Sequence, residues 1–211
     1  KLENIVSFSE NQIPYCVKYD AFREEVLIGT NNKLLIYHVT NNHFQLTRVI
    51  PTDNFEIRDI HISKDNQSLY LATNAGFYRL KRRDYALIFH FTDNENKSNN
   101  LVCTVNEANN GSIWFTTFSG IIRYNCLTNK VISLNQKNGL LNIEYNYKAA
   151  ARLNNDLIVG GLNNFEVIHT NLFQTKKQRK QLFLSSYSIN SFTENSRFFC
   201  SPNNSIKTIS Y

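Results

Sequence analysis

The chain has 211 residues, of which 42 % are apolar and 13 % aromatic, and a formal charge of +6 at neutral pH. That composition argues for a folded, globular chain, long enough to bury a core as one domain or as one domain plus a fragment. No apolar stretch approaches the roughly 20 residues of a membrane helix, and no secretory signal opens the chain.

Fifteen Phe and eleven Tyr against seven Gly and three Pro lean the chain towards strands. It starts at Lys1 and contains no methionine, so we expect an excerpt of a longer protein, with targeting signals and membrane spans outside it. The charge is uneven. Lys176, Lys177, Arg179 and Lys180 place four positive charges within five residues, and without them the net charge is about +2. Lys81, Arg82 and Arg83 form a second knot, expected at a strand turn. A nucleic-acid face would interleave basic and aromatic residues over a continuous surface. These clusters read instead as a solvated linker and a turn, and no nucleic-acid partner is expected.

In chain order, IPYCVKYD (13–20) reads as a strand, followed by the hairpin VLIGTNNKLLIY (26–37) and the strand FQLTRVI (44–50). IRDIHIS (57–63), LYLATNAGFYRL (69–80) and YALIFHF (85–91) repeat the pattern. So do LVCTVNEA (101–108), IWFTTFSGIIRY (113–124) and KVISL (130–134). YKAAARL (147–153) and LIVGGLNNFEVI (157–168) form the last copy. The four hairpins align without a gap, and the small residue closing their first run is Thr30, Thr73, Thr117 and Gly161, at spacings of 43, 44 and 44. A period of 40–50 residues built from short strands predicts an all-β fold of β-propeller blades, each a four-stranded antiparallel sheet. A small residue suits a crowded strand end, and Gly76 and Gly120 supply the positive φ of a tight turn. Trp114, the only tryptophan, aligns with Leu27, Tyr70 and Ile158 and is expected to pack between blades.

The cysteines are Cys16, Cys103, Cys126 and Cys200. Cys16 and Cys103 each lie 14 residues before their anchor threonine, equivalent places two blades apart, which argues against a mutual disulfide. Buried free thiols are expected. No cysteine pair has metal-ligand spacing and the five histidines are scattered singly, so neither a metal site nor a cofactor is expected.

NNGSIWFTTFSGIIRYNCLTNKVISLNQKNGL (109–140) resembles the repeat of two-component regulator propellers. That repeat runs Asp-Gly, any residue, Leu/Ile-Trp-Ile-Gly-Thr, Gly-Leu, then Arg-Tyr. Asn110–Gly111 stands for the Asp-Gly, Ile113–Thr117 for the tryptophan run, Gly120–Ile121 for the Gly-Leu and Arg123–Tyr124 for the strand end. Thr116 replaces the usual glycine. YNYKAAARLNNDLIVGGLNNFEVIHTNLF (145–173) is similar to the family's final repeat, although Asn164 stands at a usual glycine and Thr170 departs from the common ending. The resemblance covers about residues 10 to 173. It implies the periplasmic sensing region of a membrane-anchored, hybrid histidine kinase of a two-component system, often one that detects polysaccharide fragments. It further implies an immunoglobulin-like domain after the propeller and a homodimeric parent.

The expected organisation is therefore blades over 1–173, forming the C-terminal part of a larger propeller, a basic linker over 174–181, and a further element over 182–211. That element has two readings. NNSIKTISY can open the immunoglobulin-like domain. Alternatively, SRFFCSPNNSIKTI is an eroded fifth hairpin with Ser201 as anchor, closing a small ring with the KLENIVSF start as its last strand.

Propeller ligands meet the loops at one face. The longest such loop, NQKNGLLNIEYNYK (135–148), carries Glu144, Tyr145 and Tyr147. The Asn94–Asn100 loop is next, Arg58 follows a third, and the hairpin turns offer Asn31, Asn74, Phe118 and Asn163. Amides bond sugar hydroxyls directionally while an aromatic ring covers the C–H face, so Arg58, Asn74, Phe118, Glu144, Tyr145, Tyr147 and Asn163 are the candidate ligand residues for an oligosaccharide. Arg58 or Lys97 would add a preference for an acidic sugar. The plainer alternative is that the two tyrosines pack the loop and the asparagines reflect composition.

Catalysis is not expected. Glu56, Asp59 and Glu144 fall in the right zones for a glycosidase, but the repeat pairs no acids and no nucleophile elbow or phosphate loop occurs. A protein-interaction propeller, possibly five-bladed, is the other functional reading.

Overall fold

A computed structural model describes residues 7–41, 43–173, 197–200 and 206–209. The chain divides into two compact units, Lys1–Gln174 and Thr175–Tyr211. The first unit is all-β, with four antiparallel sheets in sequential order. The first sheet holds β1 (Pro14–Asp20), β2 (Glu25–Thr30), β3 (Lys33–Thr40) and β4 (His43–Pro51). The second holds β5 (Ile57–Ile62), β6 (Ser68–Thr73), β7 (Gly76–Lys81) and β8 (Leu87–Phe91). The third holds β9 (Val102–Glu107), β10 (Ile113–Thr117), β11 (Gly120–Asn125) and β12 (Lys130–Leu134). The fourth has three strands, β13 (Tyr145–Leu153), β14 (Asp156–Gly161) and β15 (Phe165–His169). Among the described residues the sheets do not close into a ring.

Each sheet buries its inner strands against the next. Leu27, Leu34 and Ile36 pack on Ile57, Leu69 and Leu71 between the first two sheets. Phe77 stacks on Phe115 at 4.6 Å and 5° between the second and third. Trp114 is fully buried with Tyr145, Leu157 and Val159 between the third and fourth, its indole N–H donating to Ser112 Oγ at 2.9 Å. The packing expected of Trp114 is what the structure has.

The anchor threonines do more than fit a crowded strand end. Thr73 Oγ1 donates to the Gly76 carbonyl at 2.7 Å and accepts from Ala75 N at 3.0 Å, and Thr117 repeats this with Gly120 and Ser119. Thr30 closes its turn on Lys33 in the same way. The hydroxyl satisfies turn groups that a smaller residue would leave to water. Gly76 and Gly120 have φ of 110° and 126°, and a Cβ at either would lie 2.0 or 2.3 Å from a carbonyl oxygen of the next strand.

Opposite the anchors, the first strand of every sheet bulges. Tyr15, Arg58 and Cys103 are each inserted between paired neighbours, and 146–149 fall between the paired Tyr145 and Ala150. Cys16 pairs with Gly29 whereas Cys103 occupies a bulge, so equal sequence spacing does not give equal register. Both thiols nonetheless bond the next sheet, Cys16 to the Ile57 carbonyl at 3.3 Å and Cys103 to that of Tyr145 at 3.2 Å. Cys16, Cys103 and Cys126 are free thiols, and the side chain of Cys200 lies outside the described residues.

The 81–83 knot is not a solvated turn throughout. Arg82 is fully buried, and its guanidinium holds Asp20 Oδ2 at 2.7 Å together with Glu25 and the Tyr85 hydroxyl. A charge that would be costly to bury alone is retained because two carboxylates of the first sheet meet it there.

In the second unit, β16 (Arg197–Cys200) pairs antiparallel with β17 (Ile206–Ile209), Cys200 opposite Ile206. A hairpin at this place is compatible with both readings of 182–211. The linker at 174–181 lies outside the described residues.

Candidate functional site

The first strands of the four sheets, β1, β5, β9 and β13, lie side by side and line a cavity of about 310 Å³. Lys18, Asp59, His61, Thr104, Asn106 and Lys148 are among its lining residues. Asp59 accepts from Ile60 N and Val105 N, both at 2.9 Å, tying β5 to β9. Burial raises its carboxyl above the ordinary carboxylate range, with those two bonds acting in the opposite direction. His61 Nε2 lies 3.5 Å from the Glu107 carboxylate. The Lys148 ammonium donates to the Tyr15 carbonyl, joining β13 to β1.

At the strand-start end of the sheets, the bulges turn Tyr15, Arg58 and Tyr147 towards one another. The Arg58 guanidinium carbon lies 3.9 Å from the Tyr15 ring centroid and 4.7 Å from that of Tyr147. Tyr147 meets Phe118 of the β10–β11 turn at 5.4 Å and 53°. Glu56, just before β5, forms an ion pair with Arg58 and accepts from the Tyr15 hydroxyl at 3.1 Å. Both charged side chains are reachable, Arg58 at 23 % and Glu56 at 26 % exposure. Burial and the Glu56 bond push the Tyr15 hydroxyl above its ordinary pKa. Among the described residues, the buried Arg58 Nε has no hydrogen-bond partner.

Three candidates thus meet, Arg58, Tyr147 and Phe118, while Asn74 bonds the backbone of Glu56 beside them. Asn74 acts through Glu56. Its Oδ1 accepts from Glu56 N at 2.9 Å while its own N–H donates to the Glu56 carbonyl at 3.3 Å. Asn31 holds Ile13 in the same fashion.

The others are placed differently. Tyr145 is fully buried between the third and fourth sheets, its hydroxyl donating to Glu166, and a surface ligand does not reach its ring. Glu166 also accepts from Asn142 N at 3.0 Å, so this pair fastens the 135–148 loop. Burial, then Glu166, raises the Tyr145 pKa. Glu144 is half-buried, and Asn163 is exposed in the β14–β15 turn with no hydrogen bond or ring contact to the cluster. Lys97 Nζ turns onto Asn94 of its own loop at 3.2 Å.

Tyr15 is the residue that sequence reasoning missed, and Glu56 was weighed only as an acid. The usable signal was an offset: Tyr15 and Arg58 both stand 15 residues before their anchor threonines. In the first two sheets that offset is where the bulge falls, whereas in the third it falls one residue later, at Cys103; a bulge re-aims a side chain out of the sheet's alternation.

Chemically, the cluster presents aromatic faces beside a carboxylate and a guanidinium whose charges offset one another. Such a surface bonds hydroxyl groups and covers C–H faces. Among the described residues no group of three or more His, Cys, Asp or Glu side chains is arranged to hold a metal ion, and no helix is long and apolar enough to cross a membrane.

No family model matches the chain, and no curated protein matches it. Solved structures do resemble it in fold. The extracellular domain assigned to a one component system of B. thetaiotaomicron superposes with a TM-score of 0.56 at 15 % identity, over 73 % of this chain and 21 % of that one. Virginiamycin B lyase from Staphylococcus aureus superposes with a TM-score of 0.59 at 18 % identity, over 77 % of this chain and 54 % of that one. The chain thus spans about a fifth of the first structure and about half of the second. At these identities the likeness is one of fold: antiparallel sheets repeated in sequence.

Proposed function

We propose that the four sheets are blades of a β-propeller and that the unit is the extracytoplasmic sensing region of a two-component signal transduction protein, recognising oligosaccharide fragments. The observation that carries this reading is the Glu56–Arg58 pair flanked by Tyr15, Tyr147 and Phe118 at the strand-start end of the sheets. Because Glu56 already offsets the Arg58 charge, the proposed ligand is a neutral sugar rather than the acidic one that Arg58 alone suggests. On this reading the segment is not an enzyme: Glu56 is committed to Arg58 and Tyr15, and Asp59 to two backbone amides. The proposed partners are the remaining blades, an immunoglobulin-like domain and a second copy of the parent, a periplasmic region of an inner-membrane histidine kinase.

Calorimetric titration against a panel of neutral and acidic glycan fragments tests it. Heat with one neutral class, abolished in Tyr147→Ala and retained in Cys103→Ala, supports the reading. Silence across the panel refutes it. The exposed Leu153, Phe165 and Val167 of the fourth sheet favour a second reading, a protein-interaction scaffold. Capture of a defined partner, lost in Phe165→Ser, would support that one.

A further inference from the structure

A second pocket lies at the opposite end of the sheets from the aromatic cluster. It has a volume of about 220 Å³ and is lined by Arg23, Glu25, His38, Arg48, Arg83 and Tyr85 among others. We propose that it is a binding site for a tetrahedral oxyanion, phosphate or sulfate, as the free ion or as a monoester group.

The N–H donors come from four separate segments: Arg23 from the β1–β2 turn, the His38 imidazole from β3, Arg48 from β4 and Arg83 from the turn after β7. Two are held in place by the neighbouring backbone. Arg23 Nη1 donates to the Arg82 carbonyl at 2.9 Å and Arg48 Nη1 to the Asp84 carbonyl at 3.1 Å. The Arg48 guanidinium also lies 5.2 Å from the centre of the Tyr85 ring. Among the described residues neither arginine has a carboxylate partner, so each keeps its charge and further N–H groups for a ligand.

The carboxylates nearby are already engaged. Glu25 takes the buried Arg82 and accepts from the Tyr85 hydroxyl at 3.3 Å, and Asp20 takes Arg82 as well. Asp84 meets the largely exposed Arg83 at 3.4 Å. Three arginines and one carboxylate therefore line the pocket, and that carboxylate, Glu25, is already paired with the buried Arg82. A planar carboxylate is satisfied by one bidentate arginine, whereas a tetrahedral anion presents oxygens in several directions and suits donors arriving from separate segments. Tyr85, whose ring lies beside both Arg48 and Arg82, has a φ of 63°, a left-handed conformation uncommon for so bulky a side chain.

The test is calorimetric titration of the full chain with inorganic phosphate and with sulfate, against sodium chloride at matched ionic strength. Saturable heat with phosphate or sulfate and none with chloride is expected. Arg83→Gln, at a side chain 86 % exposed, and Arg48→Gln should each weaken binding roughly tenfold with the thermal midpoint unchanged for Arg83→Gln. Glycerol phosphate separates the sources: tighter binding than inorganic phosphate assigns the site to a monoester on a larger molecule, and equal or weaker binding assigns it to the free ion. Tyr147→Ala, at the other end of the sheets, should leave this binding unchanged, which keeps the result independent of the sugar reading. No saturable heat from either anion, or affinity unmoved in both arginine variants, would overturn the proposal.

Discussion

Replacing Arg82 by methionine isolates the contact that fastens the first two sheets. The guanidinium is fully buried and its Nη2 lies 2.7 Å from Asp20 Oδ2, an oxygen belonging to a side chain only 4 % exposed. Methionine fills much of the volume but leaves the Asp20 charge without its partner. Removing one member of a buried pair costs about 3–5 kcal/mol, mostly from the stranded charge. Two features hold the cost near the lower end. Asp20 keeps hydrogen bonds from Phe22 N at 3.0 Å and Arg23 N at 3.3 Å, and Glu25, at 19 % exposure, can turn to water. We therefore expect a loss of about 3 kcal/mol in urea unfolding at pH 7.

The deficit should depend on pH in a particular direction. Burial raises the Asp20 carboxyl, but the Arg82 bond and charge and the two backbone amides more than offset it, leaving the group below its ordinary value. A folded pKa that is depressed stabilises the fold above the unfolded value of about 3.9, and the contribution is lost as pH falls through the folded value. The gap between wild type and Arg82→Met should therefore be widest near neutrality and narrow below about pH 4. Adding Asp20→Asn to Arg82→Met removes the stranded charge and should recover part of the loss. A deficit under about 1 kcal/mol at pH 7, or one that stays constant down to pH 3, would refute the reasoning.

Three further outcomes follow from the same structure. Trp114→Ala empties a fully buried site and should cost about 3–5 kcal/mol in urea unfolding, while Tyr147→Ala, at a side chain 37 % exposed, should cost under about 1 kcal/mol. Gly120→Ala forces φ of 126° on a residue whose Cβ would meet the Leu134 carbonyl oxygen at 2.3 Å, so a drop in stability exceeding about 1 kcal/mol is expected by thermal melt. Burial pushes the Cys16 and Cys103 thiols up to about 12, so iodoacetamide at pH 8 should leave both unlabelled by mass spectrometry until urea unfolds the chain.

The four hairpins were legible because their determinants are local. A threonine hydroxyl closes its own turn within three residues, as Thr73 does on Gly76, and a glycine supplies the φ that the turn needs. Repeated at near-constant spacing, those determinants predict the order and antiparallel pairing of every strand in the first three sheets and the three strands of the fourth. Trp114 could be assigned to packing because its aligned positions are all apolar.

Which side chains meet was decided only by tertiary structure. Tyr145 and Tyr147 are two residues apart and would share one face of a regular strand. The wide bulge over 146–149 parts them, so that Tyr145 is buried on Glu166 and Tyr147 stands beside Arg58. Within the basic run, Arg82 is buried and Arg83 exposed because Asp20 and Glu25, some 60 residues earlier, meet only the former. Tyr15, Arg58 and Tyr147 come from three different sheets and converge because the first strands lie side by side and bulge at the same level. Spacing along the chain encodes each strand's own register. It does not encode how many residues each bulge inserts, nor the neighbouring sheet that receives the side chain it turns out.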